Sequence, residues 1–302
     1  MKYTNKYNAP QALVNLIEDV HYQFTPNSFG ATTLNQAPTE VLLNRRHDAE
    51  IEKDVTEEYA TLFGTVMHSY LEAHRADGTM AEIKFKTEVL KDHFLSGVCD
   101  VYDSIHHKLV DWKTATIWKI KFADFSDWKR QALIYTWLLK KSNYEVNKVE
   151  FWAFMKDWSP RELRMAKLKG ESYPETAWFK WEFVPTEQDL IDIEKYIYEW
   201  FYELVELEDL PDEKLPYCGD DQTWYSGDTW AVYKLNAKGE RYAKASKVCK
   251  SLSEASDWVG AQTSGTFDIA KRKGEHKKCL DYCPCAKFCK FYNTIVKKEE
   301  EE

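Results

Sequence analysis

Two short runs hold the residues best suited to chemistry: Gly97-Val98-Cys99-Asp100 and Asp111-Trp112-Lys113. They read as two strands joined by a turn at Asp103–His107, with a carboxylate on each strand. Side chains alternate along a strand, so Asp111 and Lys113 project together while Trp112 goes to the other side. If the strands pair near Asp100 and Asp111, two carboxylates and one ammonium converge on one spot. Two hard oxygen ligands suit Mg²⁺ or Mn²⁺, which leave room for a substrate phosphate. A lysine there can hold or deprotonate the water that such a metal activates. Taken alone, the same residues also suit an ordinary ion pair on a surface hairpin.

The elements that must position them follow from hydrophobic period and punctuation. Helices are expected over Pro10–Val20, Phe29–Arg46 with Pro38 near its start or breaking it, and Asp54–Ala76. In the last, Tyr59, Leu62, Phe63, Val66, Met67, Tyr70 and Leu71 form an apolar stripe. Met80–Leu90, Phe94–Tyr102 and His107–Thr114 read as strands. Asp124–Lys141 reads as a helix, Lys148–Trp158 and Ala177–Val184 as strands. Thr186–Leu210 is a long helix with an acidic face, ended by Pro211 and Pro216. Thr229–Leu235, Ala243–Ser251 and Gly265–Lys273 look like short strands, with a helix over Leu252–Gly260. Helix, strands, helix and strand in this order imply an α/β core with a mixed sheet. The boundaries predict a core over 1–216, a second lobe over 217–302 and a disordered tail over Lys297–Glu302.

Length and composition bound the function. The 302 residues suffice for one large domain or two smaller ones, and 44% hydrophobic with 15% aromatic residues exclude a disordered chain. No apolar run approaches the roughly 20 residues of a membrane span. Met1–Pro10 has no apolar segment of a secretion signal, so a cytoplasmic protein is expected. There, seven cysteines suggest metal binding more than disulfides. The net charge of −9 argues against a generic nucleic-acid binder but is unevenly spread. Asn236–Lys298 holds 14 basic and 6 acidic residues, a net +8 that leaves −17 on the remainder. A basic lobe permits local phosphate binding despite the overall sign.

Further candidates flank the hairpin. His68 follows Gly64 by one helical turn, and Gly64 permits close approach of a neighbouring backbone. Glu72 lies one turn beyond His68. Gln131 and Tyr135 lie at i, i+4 on the next helix, and a glutamine facing a sheet must find a buried partner or a ligand. His74, His93 and His276 have no partner legible in the sequence.

Taken together, Gly64-x3-His68, Gly97-x2-Asp100, Asp111-x-Lys113 and Gln131-x3-Tyr135 resemble the PD-(D/E)XK nuclease superfamily, specifically its RecB-like branch. The resemblance covers roughly residues 32–182. It implies a restriction-endonuclease-like α/β core with a central mixed sheet flanked by helices, and a DNA exonuclease activity. Carried over, Asp100, Asp111, His68 and the backbone carbonyl of Trp112 would hold Mg²⁺ or Mn²⁺. Lys113 would position the water and stabilise charge on the phosphate, and Gln131 and Tyr135 would orient the site and contact DNA. Glu88 falls where many relatives carry a further acidic residue.

Cys279-x3-Cys283-x5-Cys289, with Cys218 upstream, resembles the iron–sulfur arrangement of RecB-like nucleases, including the AddB nuclease and phage-encoded exonucleases. Four thiolates suit a [4Fe–4S] cluster closing a C-terminal lobe, with Zn²⁺ as the less favoured occupant. Cys285 and Cys249 are alternative ligands, and Cys99 reads as a core thiol. Trp224, Trp230 and Trp258 are candidates for stacking on bases, and Lys271, Arg272, Lys277 and Lys278 for gripping phosphate. The resemblance suggests DNA as partner, with phage or host recombination or replication proteins beside it. Its alternative is a catalytically silent, cluster-bearing DNA-binding or assembly protein. No Walker-type phosphate loop is present, so the chain is not expected to be a helicase.

Overall fold

The computed structural model describes residues 1–19, 24–74 and 78–297. The chain divides into two compact units, Met1–Leu210 and Pro211–Glu302. Among the described residues, no helix is long and apolar enough to cross a membrane.

The first unit runs β1 (Lys2–Thr4), α1 (Gln11–Asp19), β2 (Ser28–Gly30), α2 (Pro38–Arg46), β3 (Glu52–Asp54), α3 (Tyr59–Ala73), β4 (Thr79–Leu90), β5 (His93–Asp103) and β6 (Lys108–Ala115). It continues with α4 (Ile117–Phe122), α5 (Ser126–Lys141), β7 (Lys148–Met155), α6 (Pro160–Lys169), β8 (Trp178–Phe183) and α7 (Glu187–Leu207). The large sheet has the order β2-β5-β6-β7-β8, with β4 also paired to β5. It is mixed: β6 and β7 run parallel, whereas β4–β5, β5–β6 and β7–β8 are antiparallel.

β5 organises this sheet. Along one edge it pairs with β4 over its whole length, from Thr79↔Asp103 to Leu90↔His93. Its other edge is shared. β2 takes Phe94, Leu95 and Ser96, and β6 takes Val101, Tyr102 and Asp103. The stretch from Gly97 to Asp100 lies between those two partners, where β5 and β6 part company.

Alternation then decides which helix sees which residue. α5 covers the face that carries Gly97, where an added Cβ would meet Leu138 Cδ1 and Tyr135 Cε1 at 2.9 Å. The helix is buried from Ala132 through Leu139, because the sheet lies on one side and α7 packs on the other. An aromatic layer of Trp128, Phe151 and Trp181 fills the space between α5, β7 and β8. α3 packs against β5 and β6 on the opposite face, which carries Trp112.

The second unit comprises α8 (Asp220–Thr223), β9 (Thr229–Lys234), β10 (Lys247–Cys249), α9 (Leu252–Gly260), β11 (Phe267–Arg272) and α10 (Lys277–Asp281). Its sheet has the order β10-β9-β11, and α9 closes a small core of Val232, Cys249 and Ala255 with Trp230, Trp258 and Phe267 around it.

Several sequence expectations need correction. The helix expected over Phe29–Arg46 is a strand at Ser28–Gly30, a 3₁₀ turn at Thr33–Asn35, and a helix that starts with Pro38 at its first turn. Parallel pairing with β5 takes the first part into the sheet. The helix expected from Asp54 begins as a 3₁₀ turn capped by Asp54 and Glu57, and Ala76 lies outside the described residues. Its apolar stripe is not a core stripe: only Leu62 is buried, while Tyr59 and Tyr70 are 63% and 69% exposed. α6 has no counterpart in the sequence reading, although Pro160 starts it and Gly170 ends it. Val20 and the tail beyond Lys297 fall outside the described residues.

The two glycines of the motifs should therefore behave oppositely. Gly97→Ala is expected to cost about 1–3 kcal/mol by forcing Tyr135 and Leu138 off the sheet. In Gly64→Ala the new Cβ makes an ordinary contact with Thr114 Oγ1 at 3.4 Å, and removing a mid-helix glycine should stabilise by about 0.5–1 kcal/mol. Urea unfolding of the two variants checks both signs.

Candidate active site

The parting of β5 and β6 places the two aspartates. The ladder's last pair is Val101↔Val110, and beyond it the Trp112 N–H donates to Asp100 Oδ2 at 2.8 Å. A side-chain carboxylate thus takes the place of a backbone acceptor. Asp100 Oδ1 stands 3.4 Å from His68 Nδ1 on α3. Together they line a cleft of about 380 Å³ with Thr65, Ser69, Glu72, Lys84, Val98 and Trp112.

Asp111 lies on the α5 side with Lys113, as alternation requires. Its carboxylate is 2% exposed, and Oδ2 makes no well-angled hydrogen bond; the Lys113 ammonium 2.6 Å away is its counter-ion. Lys113 Nζ also donates to Gln131 Oε1 at 2.9 Å, and Gln131 Nε2 donates to the Tyr135 hydroxyl at 3.1 Å. Asp111, Lys113, Gln131 and Tyr135 therefore form one connected chain between β6 and α5. Asp100 pairs with His68 and Asp111 with Lys113, and the four groups lie close enough for each carboxylate to act on the other pair.

The electrostatics follow from this division. Burial pushes the Asp111 carboxyl up to about 6, opposed by the Lys113 ammonium and reinforced by the negative Asp100. The bond from Asp100 raises the His68 imidazole above its ordinary value, against partial burial. Burial raises the Tyr135 hydroxyl, and the Asp111 charge adds to the shift. Cys99 is fully buried, with its thiol raised by burial and by Asp111.

Among the described residues, no group of three or more His, Cys, Asp or Glu side chains is gathered as a metal site. The donor chemistry of the cleft nonetheless fits a hard divalent cation: two carboxylates and an imidazole lie around the point where β5 and β6 separate. Asp111 Oδ2 supports that fit: it is buried and makes no well-angled hydrogen bond even with Lys113 beside it, so it keeps a lone pair for a cation.

Other expected residues stand elsewhere. Glu88 is exposed and accepts the Asp92 N–H at 2.9 Å, so it closes the β4–β5 turn rather than entering the cleft. Gly64 meets a side-chain oxygen and not a close backbone; Gly97 is the glycine that a packed neighbour demands. His93 reaches Glu208 at 3.0 Å, and His276 reaches Thr223 at 2.9 Å, so both have partners the sequence hid. Lys84, Thr65 and Ser69 were missed. Thr65, Ser69 and Glu72 share a helical face with His68, and the register Lys84↔Val98 sets Lys84 beside Asp100.

The second unit holds six of the seven cysteines, none of them in a disulfide among the described residues, and Cys283 Sγ lies 3.5 Å from Cys285 Sγ. Cys249 is buried with Val232 and Ala255 in the small core. Trp230 and Trp258 pack around that core, whereas Trp224 is 51% exposed beside Tyr282. Lys271 pairs with Asp228 at 2.6 Å, and Arg272 donates to the Tyr233 hydroxyl.

Lys113 is expected to be the stabilising counter-charge of Asp111. With divalent ions chelated at neutral pH, Lys113→Met should lower the unfolding free energy by about 3 kcal/mol. The double variant Lys113→Met/Asp111→Asn should recover most of that loss. Equal stability of the single variant and the parent in urea would show that the pair carries no such coupling.

No family model matches the chain, and no curated protein matches it. Among solved structures it is similar to SSO0001, at 17% identity over 67% of this chain and 87% of that one, with a TM-score of 0.46. It is similar to the alkaline exonuclease LHK-Exo from Laribacter hongkongensis, at 12% identity over 60% and 89%, with a TM-score of 0.40. It is also similar to a phage-related exonuclease from Haemophilus somnus 129PT, at 12% identity over 66% and 84%, with a TM-score of 0.27. At these scores the likeness decides neither the architecture nor the activity of this chain.

Proposed function

We propose that this protein is a Mg²⁺- or Mn²⁺-dependent DNA nuclease of the PD-(D/E)XK type, RecB-like branch, acting as an exonuclease. The observation that carries the reading is the connected set Asp111–Lys113–Gln131–Tyr135 beside the Asp100–His68 pair, at the point where β5 and β6 diverge. Asp100, Asp111, His68 and the Trp112 carbonyl would hold the metal. When bound, it would neutralise phosphate charge and lower the pKa of a coordinated water.

The chain's own residues supply the rest. Lys113, fixed by Asp111 and Gln131, presents a positive charge that needs no reorganisation as negative charge builds on a phosphate. Tyr135 holds Gln131, and through it the ammonium, in place. Lys84 on the opposite rim adds a second positive charge facing an anionic substrate. Water would reach the phosphorus from the open cleft on the α3 side.

In the second unit, Cys218, Cys279, Cys283 and Cys289 would bind a [4Fe–4S] cluster, as a structural staple of that lobe rather than a redox reagent. The C-x3-C-x5-C spacing, with Cys218 upstream, supports this reading. The burial of Cys249 in the small hydrophobic core leaves Cys218 the favoured upstream ligand. Roles in phage DNA recombination, replication or host-DNA degradation, in the host-cell cytoplasm, belong to the same proposal.

A second reading is a catalytically silent, cluster-bearing DNA-binding or assembly protein. The intact set of Asp100, Asp111, Lys113 and Gln131 weighs against it. Cleavage of linear single- and double-stranded DNA with Mg²⁺ or Mn²⁺ separates the two. Activity is expected in the parent, with losses of at least about 10²–10³-fold in Asp100→Ala, Asp111→Ala and Lys113→Ala. No hydrolysis by correctly folded, metal-loaded protein would leave the silent reading standing.

For the lobe, anaerobically purified protein is expected to be brown, with iron and acid-labile sulfide bound. Alanine at Cys218, Cys279, Cys283 or Cys289 should lose the colour, and Cys249→Ala should keep it. Colourless protein with stoichiometric zinc would instead assign the site to a structural Zn²⁺.

A further inference from the structure

The short helix α4 begins two residues after the end of β6 and presents an unusual surface. Trp118 and Phe122, one turn apart, are 63% and 75% exposed, and their rings stack at 5.7 Å and 27°. Lys121 Nζ lies 5.6 Å from the Trp118 ring centroid and 5.6 Å from that of Tyr173. Among the described residues Lys121 has no carboxylate partner. Two large rings held open to solvent cost hydrophobic free energy that a covered arrangement would not, which marks a surface with an occupant.

The helix is also firmly held. Ile117 is buried and its N–H donates to Asp157 Oδ1 at 2.9 Å. Ala123 closes α4 with a left-handed backbone, φ +50°. Lys119 folds back to Asp127 at 2.7 Å and over the Trp128 ring at 5.4 Å. Trp128 stacks on Phe151, and Lys113 lies 5.9 Å from that same ring. Lys119, the chain neighbour of Trp118, thus ties α4 to the Trp128–Phe151 stack on the α5 side of the sheet, where Lys113 also stands.

The chemistry selects the occupant. Stacked π-faces beside an unpaired ammonium match a nucleotide, whose base offers a π-face and whose phosphate offers an anion. An apolar protein surface would use the rings but leave the lysine without a partner. We propose that α4 is a stacking platform for unpaired nucleobases, with Trp118 and Phe122 receiving the bases and Lys121 holding a backbone phosphate. This rests on the nuclease reading, and it specifies the substrate: a strand with unpaired bases.

Fluorescence anisotropy with divalent ions chelated, so that nothing is cleaved, tests it with two probes of equal length: an oligothymidylate and its abasic counterpart. The parent should prefer the thymidylate by about tenfold or more. Trp118→Ala/Phe122→Ala should erase that preference, and Trp118→Phe should keep it. Lys121→Ala should weaken both probes alike and reduce the salt slope by about 1. Equal binding of both probes by the parent, binding of neither, or a preference that survives the double substitution would overturn the platform. A double variant that changes sedimentation mass but keeps the preference would mark a protein contact instead, and would overturn it too. A base preference that behaves as expected, in a protein that hydrolyses no DNA with Mg²⁺ or Mn²⁺, would sink the nuclease reading and leave the platform in place.

Discussion

The break in the β5–β6 ladder is the constraint on which the rest of the first unit depends. Up to Val101↔Val110 the two strands exchange backbone hydrogen bonds; past it, Asp100 supplies a carboxylate to the Trp112 N–H. An unsatisfied buried amide there would be costly, so the side chain both heals the ladder and is held by it. Asp100 also lines the cleft. The break explains why Asp100 faces α3 and His68 while Asp111 faces α5.

Around that break the structure keeps one charge fixed from behind. Asp111 is buried deeply enough that its carboxyl is pushed up to about 6, and the Lys113 ammonium stands against it. Gln131 and Tyr135 extend the network onto α5, whose close seat on β5 is possible because position 97 has no side chain. Such a lysine has lost its freedom to wander before any substrate arrives. Preorganised positive charge of that kind stabilises an anionic transition state most effectively, since no reorganisation is required as charge builds. The wall opposite carries His68, Glu72 and Lys84, which line the cleft.

Much of this was legible in the sequence because it depended on local period. The hairpin, the common face of Asp111 and Lys113, the long α7 with its Thr186 cap, and the stripe that buries α5 all follow from alternation or helical spacing. Failures came where a partner distant in sequence decided the outcome. Residues 28–30 became a strand because β5 had a free edge, against a helical pattern. The apolar stripe of α3 stayed largely exposed, because periodicity records which residues share a face but not what covers it. Glu88 had the right residue type at the wrong end of the β4–β5 hairpin. Trp118 and Phe122 carry no motif, and only their exposure singles them out.

By itself, then, the sequence determined which side chains are available and which of them share a strand or helix face, since both are properties of a few consecutive residues. Asp100, Asp111, Lys113, Gln131 and Tyr135 could be named on that basis. Tertiary structure alone decided that Asp100 and Asp111 are served by different partners, that Gly97 rather than Gly64 sits under a packed helix, and that α4 turns its rings outward. Each of those outcomes depends on where one strand stops pairing and which element fills the space beside it. That is settled by contacts between residues far apart in the chain, and no local pattern encodes it.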